Sequence, residues 1–402
     1  MSYLTQTAGA APATPVAGKA SAYSATGGRP RVIAADGSDF GLSGQPFFNF
    51  LRNSGFWFAQ RQAPATLTTY SSVGGRAITA DAWGVSNENA SIQFRRVDSS
   101  GAVETGLQSR HYGEFTKITA TGKIQVMQAI EGGIACQFRG RKVRVQMRLK
   151  GIVAGGQWNL ALVQLNAAGT IDTIPNGAGL FFTAQGANGV DPTLGANLAY
   201  IAPTAGKTGD NCTAGTNSYA CTVTTAWQRF GGIFTVPIDA KNLVVVLYSH
   251  NQVTATNGIG ITEALFVDDE AIQEWKLTGI PLEMARVERF YFKTFNIDTL
   301  PAQNVGLNTG EFKFMSTVIG GLAMAGIGFT YRSRMFKAGT TLTLYNPSAA
   351  NAMVRNVTDS SDTTLSTITA NGEQGCWLSS TGAVGNAAGE HMAVHISVDA
   401  EL

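Results

Sequence analysis

Residues 281–295, PLEMARVERFYFKTF, contain helical spacing that passes directly into strand spacing. Apolar residues in the first part follow the three-to-four spacing of a short helix with one buried face: Leu282, Ala285, Val287 and Phe290. The second part alternates aromatic residues with lysine and threonine, in the period of two that suits a half-buried strand. We therefore predict a helical hinge at residues 281–295 that joins two β-rich domains.

The composition restricts the class of protein. The 402 residues are enough for two or three domains, at roughly 150 residues per domain. Charged residues make up only 14% of the chain, whereas soluble domains have about 25%. Such a surface has little solubilising charge, and the net formal charge is only +2. We therefore expect other subunits to cover much of the surface.

The distribution of basic residues does not indicate a nucleic-acid interface, because phosphate binding requires clustered basic residues. The densest basic segment is residues 139–150, where polar residues alternate with apolar ones: Arg144, Gln146, Arg148 and Lys150. This is the period of a strand with one buried face, so we interpret these residues as its polar outer face. An anionic glycan or an acidic neighbouring subunit bound to this face is the alternative.

The sequence predicts neither a leader nor membrane insertion. The N-terminus lacks the basic region and apolar core of a secretory signal, and no apolar run approaches the ~20 residues that span a bilayer. Four cysteines fit neither a disulfide scaffold nor a zinc site. Cys212 and Cys221 bracket a small polar loop, and a bond between them is conceivable. Reduced thiols are the expectation for a protein assembled in a cytosol.

The chain divides into an N-terminal arm and two β-domains. Residues 1–45 are rich in glycine and proline and have too few apolar residues for a core. Within them we predict two short strands around a turn at Gly27-Gly28, and an extended arm that can pair with the edge of another protein. A disordered leader is the alternative for this segment.

Residues 46–280 have the strand spacing of an all-β sandwich or jelly roll. Short apolar runs recur between turn residues, at 90–97, 124–130, 143–149, 158–165, 229–236, 243–248 and 258–267. The long loop at about 169–222 is expected to carry function or to protrude into a subunit contact. Residues 296–402 predict a second β-domain. In its last strand His391 and His395 are expected on an exposed face, opposite an apolar one.

Several segments of the chain resemble the proteins of tailed bacteriophages. Residues 283–295 are similar to the E-L-x-x-C-Q-R-Y-Y-x-K segment of tail-fibre and other virion proteins, with Val287-Glu288 in place of Cys-Gln. Residues 14–37 resemble the hairpin that begins fibre and baseplate-attached proteins, and 391–402 resemble their last strand. Residues 49–61, 79–83, 225–230 and 265–272 resemble fibre jelly rolls and carbohydrate-binding modules.

The resemblance implies a structural component of a tailed-phage virion: a fibre, an appendage or a capsid-decoration subunit. The N-terminal arm would attach to other virion proteins, and the C-terminal domain would mediate oligomer contacts or face a host-surface glycan. The resemblance also implies a homotrimer, assembled in the bacterial cytoplasm. Small residues would let chains pack around its axis: Gly320, Gly321, Ala323, Ala325, Gly326 and Gly328.

The candidate binding residues are few. Trp83 and Trp227 are predicted as core anchors of the sandwich, with sugar stacking as the alternative. Residues 265–272 resemble a closing strand whose first aspartate, Asp268 here, can help to hold structural calcium. The opposite side of that site has Trp57 where the pattern has an acidic residue, so we expect no metal.

The sequence predicts no catalytic residue, no cofactor-binding residue and no cofactor. It has no G-x-S-x-G elbow, phosphate loop or H-E-x-x-H motif. The densest acidic cluster is interpreted as the edge of the sandwich: Asp268, Asp269, Glu270 and Glu274. We therefore predict a non-enzymatic virion protein. A glycan-binding module is the alternative, followed by a polysaccharide-depolymerising fibre, which would need two facing carboxylates.

Overall fold

A computed structural model of the chain describes residues 21–24, 30–33, 39–41, 48–62, 66–71, 76–88, 91–99, 107–118, 121–175, 179–207, 209–268, 273–316, 323–337, 341–381 and 387–401. Nearly all of the regular structure consists of antiparallel strands, which confirms the predicted all-β class. A separate three-stranded sheet contains β1 (Ser21–Ser24), β2 (Pro30–Ile33) and β3 (Asp39–Gly41). The predicted two-stranded pair is confirmed, with β3 added to it. The rest of the predicted arm lies outside the described residues.

The main sandwich follows. Its strands, together with those of the long loop at about 169–222, are β4 (Thr68–Tyr70), β5 (Ala77–Ile78), β6 (Gly84–Asn87), β7 (Ile92–Asp98), β8 (His111–Lys117), β9 (Ile124–Ile130), β10 (Lys142–Gly151), β11 (Gly156–Leu165), β12 (Phe182–Ala184), β13 (Thr193–Leu194), β14 (Leu198–Ile201), β15 (Cys212–Ala214), β16 (Tyr219–Val223), β17 (Gln228–Thr235), β18 (Asn242–Ser249) and β19 (Gly258–Val267). Helix α1 (Gly132–Ala135) and a 3-10 turn at Cys136–Phe138 connect β9 to β10. The predicted apolar runs are therefore confirmed as strands.

Two antiparallel sheets form this jelly-roll sandwich. We call the sheet with strand order β17-β10-β19-β8-β7-β4 the first sheet, and the one with order β15-β16-β11-β18-β9-β6-β5 the second sheet, in which β14 also pairs with β11. Alternate residues of facing strands point into one core; Val145 and Met147 come from β10, and Leu160 and Leu162 from β11. Each fully buried side chain of this kind contributes about 1.5–3 kcal/mol of burial free energy.

The outer face of β10 departs from the prediction. The alternation along the strand is as expected, but Arg144 and Gln146 are buried instead of exposed. The chain after β19 crosses this face, and Gln146 Nε2 donates a hydrogen bond to the carbonyl of Gln273 at 2.7 Å. Trp275 packs there against Leu265 and Val267 of β19. This face is therefore covered by the chain itself, which the period of a single strand cannot reveal.

The predicted long loop also folds differently. It contains β12 to β16. Residues 179–201, the covering segment, pack on the outer face of the second sheet instead of protruding, whereas β15 and β16 extend the edge of that sheet. Phe181, Phe182 and Leu198 of this covering segment are buried against Val163 and Val246. Because the second sheet has an apolar outer face, it needs such a cover.

Residues 49–61 form the corner on which the sandwich and the following helix meet. Asn53 is fully buried with a φ of +48°, a conformation that asparagine tolerates better than most residues. Its Nδ2 donates to the carbonyls of Phe58 (2.7 Å) and Asp81 (3.0 Å), and the Asn53 carbonyl accepts a hydrogen bond from Trp83 Nε1 (3.1 Å). Trp83 is buried and stacks on Phe56, so its predicted role as a core anchor is confirmed.

Helix α2 (Ile280–Glu288) and strand β20 (Tyr291–Lys293) occupy the predicted hinge. The helix begins after Gly279, whose φ is +84°, with Pro281 in the first turn, where its missing N–H costs nothing. The predicted buried face is wrong for Leu282, which is 52% exposed. Glu283 is buried instead, because its carboxylate accepts hydrogen bonds from the Asn53 amide and from Arg286 Nη1.

The C-terminal unit contains β21 (Phe312–Met315), β22 (Ala323–Thr330), β23 (Thr341–Tyr345), β24 (Arg355–Asn356), β25 (Ser361–Asp362), β26 (Leu365–Asn371), β27 (Gly375–Thr381) and β28 (His391–Asp399). Strand β28 is central, since β20, β21, β23 and β24 all pair with it. Its apolar residues are buried as predicted. Strands β22, β27 and β26 form a separate three-stranded sheet, in that order.

The predicted exposure of the two histidines of β28 is correct for His391 and wrong for His395, which is fully buried. The His395 ring stacks on Phe295 with 3.8 Å between centroids. Thr294 and Thr309 hydroxyls lie 2.9 Å from its Nδ1 and Nε2, respectively. The face that single-strand periodicity assigns to solvent is therefore covered by the segments before β21.

Buried charges join the C-terminal unit to the sandwich. The Arg61 guanidinium forms ion pairs with Asp81 (3.2 Å), Asp399 (3.0 Å) and Glu401 (3.5 Å). It also lies over the Tyr291 ring, 3.9 Å from the centroid. Arg61 comes from the corner, whereas Asp399 and Glu401 come from the end of β28 and the residues after it. No helix among the described residues has the length and apolar character to span a bilayer.

Candidate functional site

The residues that the sequence singled out do not form a site together. Trp227 is only half-buried, so its predicted role as a core anchor is wrong. It lies over Gly260 on the outer face of the first sheet, where an added Cβ would sit 3.0 Å from its Cη2. Tyr112 packs edge-on against its ring at 5.1 Å. Glycine at position 260 therefore leaves the space that this indole occupies.

The acidic residues near the end of β19 do not form one site, because they pair with different arginines. Asp268 pairs with Arg141 at 2.9 Å, and Glu274 pairs with Arg229 at 2.9 Å. Asp269 and Glu270 lie outside the described residues. Within the described part of the chain, no group of three or more His, Cys, Asp or Glu side chains is placed to hold a metal ion.

A different region, the sheet of β22, β27 and β26, presents a surface suited to a ligand. Along β27 the side chains alternate: Cys376, Leu378 and Ser380 are buried, whereas Trp377 is exposed. Trp377 is the large aromatic residue of the outward face, and 46% of its surface is exposed. The strand thus directs its apolar face to the core of the unit and its tryptophan to solvent.

Small residues lie opposite this tryptophan in the register of both neighbouring strands. Trp377 lies opposite Gly328 of β22 and Ala370 of β26 in the strand register. An added Cβ at Gly328 would be 3.4 and 3.5 Å from Cε3 and Cζ3 of the indole. The indole therefore lies over Gly328 at a distance that an alanine methyl group would fill in ordinary contact, and a larger side chain at position 328 would displace it.

The rest of the outward face is uncharged and rich in hydroxyl groups. Ser379 lies opposite Thr367, and Thr381 lies opposite Leu365, in the pairing of β27 with β26. Thr330 follows on β22, beside Gly375. Hydroxyl groups both donate and accept hydrogen bonds. The face therefore offers one aromatic surface surrounded by groups that match the hydroxyls of a polar, uncharged ligand.

An open groove of about 470 Å³ lies at one end of this face. Its lining residues include Trp377, three glycines and three polar residues: Gly328, Gly372, Gly375, Thr330, Asn371 and Gln374. Tyr331 Oη donates to Asn371 Oδ1 at 2.9 Å, which fixes the orientation of that amide. Beside the groove, Arg334 Nε donates to Glu373 Oε2 at 2.8 Å. These two charges thus neutralise each other.

Sequence reasoning missed this site because it considered tryptophans only within recognised motifs. Trp377 lies in no such motif. The available signal was the alternation of residues 376–380, which places Trp377 opposite to Cys376 and Leu378. The position of Gly328 under the ring depends on strand pairing and could not be read from one segment.

No protein-family model matches the chain, and no curated protein matches it. The enzymatically active domain of tailspike protein 4 of bacteriophage CBA120 is 12% identical, with a TM-score of 0.30; 55% of this chain and 21% of that chain are covered, so the match spans about a fifth of the tailspike.

Two carbohydrate-binding modules are also similar in structure. TmCBM61, solved with β-1,4-galactotriose, is 11% identical at a TM-score of 0.28, and 55% of this chain and 99% of that chain are covered. The CBM22-1 xylan-binding domain of Paenibacillus barcinonensis Xyn10C is 10% identical at a TM-score of 0.27, with 52% and 99% covered. At such identities and TM-scores we base no argument about function on these likenesses.

Proposed function

We propose that the protein binds a neutral glycan through the outward face of the β22–β27–β26 sheet, which we call the Trp377 face, with Trp377 as the stacking residue. The observation that carries this proposal is an indole that lies over Gly328 with nearly half of its surface exposed. A tryptophan is usually well buried, so one held open on a sheet of small residues points to a ligand.

The chemistry of the Trp377 face favours a sugar. The flat apolar surface of a pyranose ring can pack against an indole, while its hydroxyls require donors and acceptors at the edges. Thr330 and Gln374 line the groove beside the ring and can supply them. Ligand pockets typically combine an apolar surface with a few polar groups in this way.

The ligand is proposed to be neutral because the residues on this face carry no net charge. The outward positions named above are glycine, threonine, serine, leucine and tryptophan, and Arg334 is paired with Glu373. Binding should therefore change little between low and high salt, since no ion pair with the ligand is available to be screened.

Trp377→Ala should weaken glycan binding by at least about tenfold, because truncation of an anchoring tryptophan commonly costs about 2 kcal/mol or more. The melting temperature should stay unchanged, since the side chain is half exposed. Binding would be measured on an array of neutral and anionic polysaccharides, followed by titration with the best ligand. Met315→Ala, which removes an exposed apolar side chain of β21, outside this face, is the matched control and should bind normally.

Trp377→Phe should retain part of the affinity, because a smaller aromatic ring still stacks. If Trp377→Ala bound its glycan as tightly as the unsubstituted protein, the Trp377 face would not be the site. If the unsubstituted protein bound no polysaccharide on the array, the proposed function itself would be wrong.

A second candidate function is that of a virion subunit, as the motifs in residues 49–61 and 283–295 suggest. The low charge of the chain agrees with a surface that other subunits cover, and apolar side chains at its surface agree with this as well: Ile238, Leu180 and Val190. In this proposal the arm attaches to the particle and the C-terminal unit presents the Trp377 face to the host. A non-enzymatic role and a homotrimer belong to the same proposal, and the number three rests on the resemblance.

Imaging of phage particles with an antibody against the C-terminal unit should place the label at the tail or over the shell. Particles without label would contradict the virion proposal. The result would leave glycan binding by the purified chain open to its own test. Light scattering of the purified chain should give the mass of a trimer, and a monomer at micromolar concentration would contradict the oligomer.

A further inference from the structure

We propose that Cys212 and Cys221 are a site of disulfide formation that fastens the edge hairpin β15–β16 of the second sheet. This inference does not depend on glycan binding. Both cysteines are free thiols in the structure, and so are Cys136 and Cys376. The proposal rests on the register of the hairpin, the approach of the two sulfur atoms and the contacts of the hairpin tip.

The register places the two cysteines directly opposite each other. Cys212 pairs with Cys221, followed by Thr213 with Ala220 and Ala214 with Tyr219. The Gly215 amide donates to the Ser218 carbonyl at 2.8 Å, which closes the hairpin with a hydrogen-bonded pair. Antiparallel pairs alternate, so the cysteines form a non-hydrogen-bonded pair, in which the Cα atoms are about 4.5 Å apart and the side chains are closest. Disulfides span about 4.4–6.8 Å between Cα atoms.

The sulfur atoms are already in contact. Cys212 Sγ lies 2.7 Å from Cys221 Sγ. Cys221 is buried, whereas Cys212 is only half-buried at the edge of the sheet. An added Cβ at Gly209 would approach Cys212 Cβ to 2.8 Å, so the backbone at Gly209 lies close beside the Cys212 side chain. Little backbone movement is needed to join the two side chains.

The reaction requires an oxidant, for which glutathione disulfide is sufficient. The Cys212 thiolate attacks one sulfur of glutathione disulfide, and one glutathione thiolate leaves. The Cys221 thiolate then attacks Cys212 Sγ of the mixed disulfide and expels the second glutathione. Two protein thiols are oxidised, one glutathione disulfide is reduced to two thiols, and the protons of the cysteines pass to the leaving groups. Burial raises the pKa of the Cys221 thiol, which agrees with Cys212 reacting first.

The hairpin tip between the two cysteines holds the covering segment. Asn217 Nδ2 donates to Asp191 Oδ2 at 2.9 Å. Tyr248 Oη donates to Asp191 Oδ1 at 2.5 Å and lies 3.1 Å from Ser218 Oγ. Asp191 precedes β13, in the segment that covers the second sheet. A disulfide at the base of the hairpin should therefore restrain the covering segment as well as the hairpin.

The test uses the full chain, reduced and then incubated with glutathione disulfide. Free thiols are blocked in denaturant and the protein is digested with trypsin; residues 208–229 form one peptide with both cysteines. We expect this peptide to lose the mass of two hydrogen atoms and to resist blocking, while Cys136 and Cys376 are blocked. Cys136→Ser is the matched control and should oxidise normally, whereas Cys212→Ser should leave Cys221 blocked.

Oxidation should also raise the melting temperature of the unsubstituted chain and slow hydrogen exchange at residues 186–194, with neither change in Cys212→Ser. Four blocked thiols, a stable glutathione adduct on Cys212, or a disulfide with Cys136 or Cys376 would each overturn the proposal. If the expected disulfide forms but hydrogen exchange at residues 186–194 stays unchanged, the inference that the disulfide restrains the covering segment would be wrong.

Discussion

Replacing Arg61 by alanine should destabilise the folded chain by about 3–5 kcal/mol, the usual cost of removing one partner of a buried ion pair. The Arg61 side chain is only 12% exposed, and it faces three carboxylates. Burial raises the pKa of Asp81, and the charge of Arg61 opposes that rise. Without Arg61, Asp81 must remain buried without its ion-pair partner or take up a proton, Asp399 loses its ion pair with the sandwich, and Glu401 keeps only its contacts with Arg52 and the Ala82 amide.

Chemical denaturation of the purified variant measures this effect. Arg110→Ala is the matched control, because Arg110 forms a similar pair with Asp98 (2.8 Å) whose side chains are 57% and 42% exposed. Water screens such an exposed pair, which therefore contributes little to stability, so this variant should resemble the unsubstituted protein. Equal effects of the two substitutions would show that the Arg61 cluster does not join the C-terminal unit to the sandwich.

Lowering the pH from 7 to 4 should destabilise the C-terminal unit by about 2–3 kcal/mol through His395. Burial lowers the pKa of His395 from 6.5 to about 4, although the Glu311 carboxylate acts in the opposite direction. The unfolded chain therefore binds a proton between these values and the folded chain does not. The stabilisation is complete above pH 6.5 and is lost as the pH falls toward 4.

Glu311 extends the loss of stability to lower pH. Burial would raise the pKa of its carboxyl group, but the amides of Asn308 and Thr309 and the Lys313 ammonium lower it to about 2. Because the folded pKa lies below the ordinary 4.5, this stabilisation is present above pH 4.5 and is lost as the pH falls toward 2. Protonation of either group in acid therefore lowers the stability of the C-terminal unit.

Denaturation of the C-terminal unit at a series of pH values between 7 and 4 would give its free energy of unfolding as a function of pH. In His395→Gln this free energy should change less with pH, because glutamine keeps a donor and an acceptor but does not titrate. His391→Gln, on the same strand but exposed, is the control and should leave the curve unchanged. A curve that stays steep in His395→Gln would rule out His395 as the acid-sensitive group.

The sequence could predict the elements whose pattern is local. Residues 124–130 and 258–267 alternate and carry apolar runs between turns, and both are strands with the predicted bounds. The change from helix to strand at residues 281–295 was predictable for the same reason. The domain boundaries at 45, 280 and 295 remain predictions.

The errors concern faces that distant segments cover. Arg144, Gln146 and His395 look exposed in the period of their own strands, and each is buried by a segment far away in sequence. The helical period predicts that Leu282 is buried, but Glu283 is the buried residue. Its carboxylate accepts a hydrogen bond from the backbone amide of Asn53. The Trp377 face was missed in the same way, since it depends on Gly328 in a neighbouring strand.

The proposed glycan binding requires that a sugar ring stacks on Trp377. Hydroxyl-radical footprinting of the full chain, with and without a saturating neutral polysaccharide from the array, measures this contact. We predict that the glycan slows oxidation of Trp377, while the half-buried Trp227 on the first sheet is oxidised at the same rate in both samples. Saturating glycan that leaves the oxidation rate of Trp377 unchanged would contradict the account.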